Sequence, residues 1–228
     1  MQALLLLADG RFPAGGHAHS AGVEAAVADG RVTDVATLAA FAEGRLRSVG
    51  LVDAAVAMAT VSRLARPLDG DAARAVLARL DAEVDARTPA APLRAASRRL
   101  GRQLLRVAAR CWPSPLLDLA GAPGPDPHQA VAFGLVGAAS AMRVDDVGHL
   151  AVHHAVTTPM QAGVRLLGLD PFAVAAATAA LAEIAAAVVA EAARHAAGPL
   201  GDLPARSATL VDIAAMAHAG TDGRLFAT

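Results

Sequence analysis

The feature that most constrains the fold is the run from Phe172 to Ala190, in which Glu183 is the only charge. Asp170-Pro171 just before it is a strong helix start, with Asp as N-cap and Pro at the first helical position, where no amide hydrogen is needed. A helix this apolar needs cover on nearly all sides. The span is just long enough to cross a bilayer. Alanine inserts poorly, however, Glu183 lies near mid-span, and neither end carries an aromatic belt. The segment is therefore expected centrally in a helical bundle or partly at a subunit interface, with no membrane.

The same reasoning extends to the whole chain. Hydrophobic residues make up 55% of the 228 positions and aromatic residues only 3%, so the core is aliphatic and rich in alanine. Alanine is the best helix former, whereas strands favour β-branched and aromatic residues. An all-α fold follows, a multi-helix bundle in a single domain over residues 1–228. The clearest loop runs from Pro113 to Pro127, where repeated prolines and glycines enclose Leu116-Leu117-Asp118-Leu119. It reads as a long connection between two helical halves.

Charge removes several functions. Twenty Lys+Arg against 21 Asp+Glu leave a formal net charge of −1, so no general field draws in nucleic acid or an anionic membrane. Every basic residue is arginine. A Walker A loop and a Schiff-base lysine are excluded, and a nucleotide, if one matters, is expected on a partner. Cys111 is the only cysteine; it cannot form an internal disulfide and fits a reducing compartment. The first apolar stretch is short, has no basic residue before it, and is followed by Asp9 and Arg11. No secretory signal is expected, and the location is read as cytoplasmic.

Local signals place helices at Ala21–Asp29 with Ser20 as N-cap, from Thr33 or Asp34 to Val49, from Asp53 to Arg66, and from Asp71 to Ala86. Thr88-Pro89 opens a basic helix with Arg94, Arg98, Arg99, Arg102, Arg106 and Arg110 at spacings of mostly three and four. Without an aromatic platform or net positive charge, these arginines are expected to meet acidic groups of neighbouring helices or of a protein partner, not nucleic acid. Gly134, Gly137, Ala138 and Ala141 allow close helix approach in the next helical segment. Asp145 or Asp146 then caps a helix bearing His149, His153 and His154, and Thr158-Pro159 opens a further segment. His149 and His153, at i and i+4, are able to chelate nickel or zinc from one face. Two ligands are not a site. Core or interfacial histidines are the other reading, for His17 and His19 as well.

Backbone freedom concentrates between Arg11 and Glu24. Pro13 ends the apolar run Ala3–Ala8, Gly15 and Gly16 permit positive φ, and Glu24 suits the positive end of a helix dipole. On local chemistry alone the stretch reads as a capped surface turn. Yet a short apolar helix followed by Pro-x-Gly-Gly-x-x-x-Ser-x-Gly-x-Glu resembles the opening of the urease accessory protein F family (UreF). Gln161 with Arg165-Leu166-Leu167 resembles its middle. Met216-x-His218 and Arg224-Leu225-Phe226 resemble its end, so the likeness covers essentially the whole chain. His17 stands where the family carries an aromatic residue, Ala219 where it carries an acid, and Ala227 where it carries an arginine.

The resemblance implies an all-helical, non-enzymatic protein with no cofactor. It implies a homodimer that binds urease accessory protein D (UreD, also called UreH) and recruits the GTPase UreG; the assembly delivers nickel to apo-urease in a GTP-dependent step. By the same resemblance Gly15, Gly16, His19, Ser20, Gly22 and Glu24 shape a contact surface, and Arg165 joins the partner-binding set. His218, Arg224, Leu225 and Phe226 order the tail when UreD/UreH binds. Two alternatives stay open from the residues. One is a helical metal-binding protein using His17, His19, His149, His153 and His154 and not dedicated to urease. The other is a helical enzyme with an unrecognised site, for which no acid-base pair stands out.

Overall fold

The computed structural model describes residues 1–16, 19–66, 68–121 and 124–218. Among the described residues there is no strand, and the fold is all-α. The helices are α1 (Gln2–Ala8), α2 (Val23–Ala28), α3 (Val35–Arg45), α4 (Leu51–Leu64), α5 (Gly70–Arg87), α6 (Ala91–Cys111), α7 (Pro115–Asp118), α8 (Gln129–Ala139), α9 (Val144–Leu167), α10 (Pro171–Ala180), α11 (Ala182–Ala196) and α12 (Thr209–His218).

Local chemistry explains several of the starts. The Asp34 carboxylate accepts from the Thr37 amide at 2.8 Å, and the Thr37 hydroxyl accepts from the Asp34 amide at 3.1 Å. This reciprocal pair caps α3. Asp69 caps α5, accepting from the Ala72 amide at 2.7 Å. Asp170 caps α10 with Pro171 following, as the sequence predicts.

At the centre lies α4, which is buried all round. Leu51, Val52, every residue from Ala54 to Val61, and Leu64 are hidden from solvent. Its neighbours are chiefly α8, α9 and α11. With many alanines on α4, packing to normal density requires the neighbouring backbones to come in close. Gly134 on α8 is where this is tightest. A Cβ there would stand 2.3 Å from the Thr60 Cβ and 2.5 Å from the Ala57 carbonyl oxygen. Thr60 is fully buried and satisfies its hydroxyl by donating to the Val56 carbonyl at 2.8 Å. Gly137 also faces a close neighbour, Val147. Ala141 does not; it takes up the turn after α8 at φ 54°.

Several boundaries differ from the sequence reading. The helices expected over 34–49 and 53–66 join into one rod through a π turn at Leu46–Gly50. Thr158-Pro159 opens no new segment. Pro159 is buried inside α9, which runs on to Leu167 and ends at Gly168 with φ 62°. Packing along α9 outweighs the one hydrogen bond that proline removes. One hydrophobic cluster includes residues on both sides of the 113–127 connection.

The largest correction concerns the run at 172–190. It breaks at Leu181 into α10 and α11, which are bent by 45°. Only Val174, Leu181, Val188, Val189, Ala192 and Ala196 are buried. Phe172 is 84% exposed, and Ala176, Ala179, Ala186, Ala187 and Ala190 also face outward. The centre is already filled by α4, so within this chain the segment is covered on one side only. Among the described residues no single helix is long and apolar enough to cross a membrane.

The Gly134 approach generates a prediction. Gly134→Ala is expected to destabilise the fold by about 1–3 kcal/mol through overpacking. Gly44→Ala, in α3 with open space around it, is expected to stabilise by about 0.5–1 kcal/mol through helix propensity. Urea denaturation of both variants checks this, and a neutral Gly134→Ala contradicts the packing account.

Candidate functional site

The site starts from the turn between α1 and α2. The Pro13 carbonyl accepts from Gln103 Nε2 at 3.0 Å, which holds the segment against α6. Gly15, at φ 84°, sits beside Leu100 and Gln103. Ser20 is fully buried and His19 is 7% exposed. The Ser20 hydroxyl accepts from the Gly22 amide at 3.3 Å. Ser20 therefore organises the turn, and Gly22 is the N-cap of α2 in place of the expected Ser20. Glu24 lies half-buried in the first turn of α2.

The backbone here is strained, and its support is visible. Ala21 has φ 56°, and its carbonyl accepts from Arg45 Nε at 2.9 Å. Gly22 has φ 91°, and a Cβ on it would meet the Val211 side chain at 2.9 Å. Val211 belongs to α12. The opening stretch and the last described helix thus meet in one place, and Gly22 is glycine both for its conformation and for the approach of α12.

The loop leading to α12 is tied down by arginines of the bundle. Arg63 donates to the Ala196 and Gly198 carbonyls at 3.1 and 2.7 Å. Arg87, paired with Glu83, donates to the Leu203 and Pro204 carbonyls at 3.1 and 3.0 Å. On its outer side α12 leaves Leu210, Ile213 and Met216 exposed at 62%, 61% and 57%. These three recur at one helical face.

Beneath this junction lies a cavity of about 160 Å³, with Gly16, Arg45, Asp53, His154, Val211 and Asp212 among its lining residues. Arg45 and Asp53 stand at either end of the π turn, a helix irregularity common at functional sites. Burial pushes the Asp53 carboxyl up to about 6, outweighing the attraction of Arg45, and pushes the Arg45 guanidinium down. Burial also raises Asp212.

The histidines of α9 serve α1. His154 Nε2 donates to the Leu7 carbonyl at 2.9 Å, and its ring stacks on Phe133 with centroids 5.0 Å apart. Burial pushes it down to about 4, so it is neutral near pH 7. His153 Nε2 lies 3.1 Å from the Ala8 carbonyl, and His149 is exposed. His153 thus tethers α1, and among the described residues it belongs to no cluster of three metal-ligating side chains. Arg165 borders the crevice between α9 and the segment from Leu7 to Gly16. The backbone of His218 closes α12. His17, Arg224, Leu225 and Phe226 lie outside the described residues.

A second polar centre has no signature in local sequence, because its members come from three separate stretches. Arg98 bridges Asp81 and Asp85, both at 2.7 Å, and Arg102 reaches Asp126 at 2.7 Å. Arg94 donates to the Thr88 and Pro89 carbonyls at 2.7 and 2.8 Å. Part of the arginine stripe therefore meets acidic groups of its neighbours, as expected. His128 is fully buried; its amide donates to Asp81 at 2.7 Å, and its Nε2 lies 2.9 Å from Asp85. Burial pushes the His128 imidazole down, so its Nε2 donates as a neutral ring. Burial alone would raise Asp85, but the His128 hydrogen bond and the Arg98 charge together hold it below the usual carboxylate range. Asp81, Asp85 and His128 lie within metal-ligand reach of one another, but Arg98 occupies both carboxylates and makes the cluster an ion-pair network.

Fold and site define a class: an all-α protein built on a buried alanine-rich helix, whose opening glycine turn seats the last described helix over a cavity that Arg45 and Asp53 help to line. A model of the UreF family matches residues 32–182. The chain is 44% identical over 225 residues to the urease accessory protein UreF of Mycolicibacterium vanbaalenii, covering 99% of this chain and 97% of the relative. It is 42% identical to that of Mycobacterium marinum with the same coverage. With that of Mycobacterium tuberculosis it shares 42% identity over 215 residues, 94% of this chain and 92% of the relative. The chain belongs to the UreF family of urease accessory proteins.

The cavity carboxyl makes stability depend on pH in a defined sense. Folded Asp53 keeps its proton to about pH 6 against an ordinary value of 3.8. Between these values the folded chain binds more protons at this site, so its contribution to stability falls as pH rises. His154 runs the other way, because its value drops from 6.5 to about 4 on folding. Asp53→Asn removes the first effect and leaves the second. Urea titrations are expected to show the variant gaining on wild type by on the order of 2 kcal/mol between about pH 4 and pH 7. A difference that does not change with pH contradicts an Asp53 whose carboxyl is raised by folding.

Proposed function

We propose that this protein assembles with UreD/UreH and the GTPase UreG and promotes GTP-dependent nickel insertion into apo-urease. In this reading it is a cytoplasmic scaffold and not an enzyme. The observation that carries the reading is the meeting of Gly22 with Val211. The opening stretch meets α12, the helix that carries Met216 and His218, so one partner is able to touch both.

Gly15, Gly16, His19, Ser20, Gly22 and Glu24 act in this proposal by setting the shape of the turn, since His19 and Ser20 are buried. The contact itself falls to α12, whose apolar outer face is Leu210, Ile213 and Met216, and to the tail that follows. His218, Arg224, Leu225 and Phe226 are proposed to order against UreD/UreH, with Arg165 flanking the turn. The outward face of α10 and α11, with Phe172 at its start, is proposed to meet a second copy of the chain. The alanines on that face suit close packing of two helices.

Co-expression with candidate UreD/UreH and UreG, followed by affinity capture and mass measurement, tests the assembly. The expected result is a defined complex with UreD/UreH that then recruits UreG. A well-folded protein that captures neither overturns the proposal.

Two variants sharpen the assignment. Leu225→Ala with Phe226→Ala is expected to reduce co-purification of UreD/UreH while leaving helical content unchanged. Gly22→Ala is expected to reduce it as well, by lifting α12 from its seat. Full retention of the complex by both contradicts the assigned surface.

A further inference from the structure

The arginines of α6 divide between two faces. Arg94, Arg98 and Arg102 are engaged inside the bundle or at its edge. Arg99, Arg106 and Arg110 are exposed and make no ion pair or hydrogen bond among the described residues. At 3.6 residues per turn these three fall within about 40° of one line that spans about 16 Å of helix. No acidic residue occurs between Ala91 and Cys111, and Arg106 and Arg110, at i and i+4, repel each other. The chain as a whole carries a net charge of −1, so this is a local cationic strip on a nearly neutral molecule.

What surrounds the strip selects among anionic partners. Ala95 and Ala109 are exposed beside it, which lets another backbone come close. No exposed aromatic ring accompanies it among the described residues. Trp112, the aromatic residue next in sequence, is half-buried against Phe12 at 6.3 Å between ring centroids, so there is no platform on which bases stack. No bulky apolar side chain lies on the line to enter a lipid surface. Guanidinium groups at spacings of seven and four match carboxylates at the same spacings on a helix laid alongside, and each pairs two-pronged with one carboxylate.

We propose that Arg99, Arg106 and Arg110 form a docking strip for an acidic helix of a protein partner. Gln103, which holds the Pro13 carbonyl, borders the strip, so its occupant runs alongside the opening turn. The assignment stands on charge and geometry and does not depend on the urease reading. Exposed pairs of this kind accelerate encounter and fix orientation more than they add affinity, and salt screens them.

The test uses the full chain and a fluorescein-labelled helical peptide with glutamates at i, i+4 and i+11, read by fluorescence anisotropy. Binding is expected at about 20 mM salt and is expected to weaken at least about tenfold at about 200 mM. Arg99→Glu, Arg106→Glu and Arg110→Glu together are expected to abolish binding of this peptide and to restore binding of its lysine counterpart. A milder triple variant to Gln, with circular dichroism, guards against misfolding. No peptide binding at low salt up to about millimolar concentration, or unchanged binding by the triple variants, overturns the proposal. A single-stranded oligonucleotide bound more tightly than the peptide and lost in the same variants also overturns it, in favour of nucleic acid.

Discussion

The whole structure depends on how closely helices approach α4. A helix whose residues are hidden all round, many of them alanine, gives its neighbours little side-chain bulk to pack against. Density is recovered by bringing backbones together, which at the α8 crossing requires that position 134 carry no Cβ. With α4 and the middle of α8 filling the centre, the helices around them keep a side that is not buried within the chain. For α10 and α11 that side is apolar, and it is where a second copy is proposed to sit.

The rod that contains α4 also builds the polar site. Its π turn separates Arg45 from Asp53. Arg45 uses its Nε on the carbonyl of strained Ala21, which fixes the turn on which α12 rests. Asp53 is left facing a cavity with its carboxyl pushed up toward neutral pH. A protein that recruits partners benefits from an edge whose stability is lower than that of its core. Here the last described helix packs on α2 and α6, with Val211 against Gly22, follows a loop stapled by Arg63 and Arg87, and has a cavity beneath.

Much of the fold was legible in sequence because alanine, proline and aspartate act locally. Asp34 and Asp170-Pro171 each mark their boundary by their own chemistry. The π turn was not legible, since nothing in Leu46-Arg47-Ser48-Val49-Gly50 distinguishes it from an ordinary helix or a short connection. Nor was the course of α9 through Pro159, where tertiary packing overrides a local breaker. Of the two positions expected for the run at 172–190, the central one is taken by α4, because composition says how much cover a helix wants, not which helix occupies the centre. At the site, motif spacing located the turn of Gly15 to Glu24. It carried no information that Val211, almost two hundred residues away, rests on Gly22. The Asp81, Asp85, Arg98 and His128 network was invisible for the same reason, each member being ordinary in its own segment.

The central claim is that the opening turn and α12 act as a single assembly surface. Amide hydrogen exchange of the protein alone and bound to UreD/UreH tests it most directly. The account predicts that protection rises together in residues 20–24 and 209–216 on binding, with α4 and α8 unchanged. Protection confined to one of the two stretches, or falling elsewhere on the bundle, would contradict it.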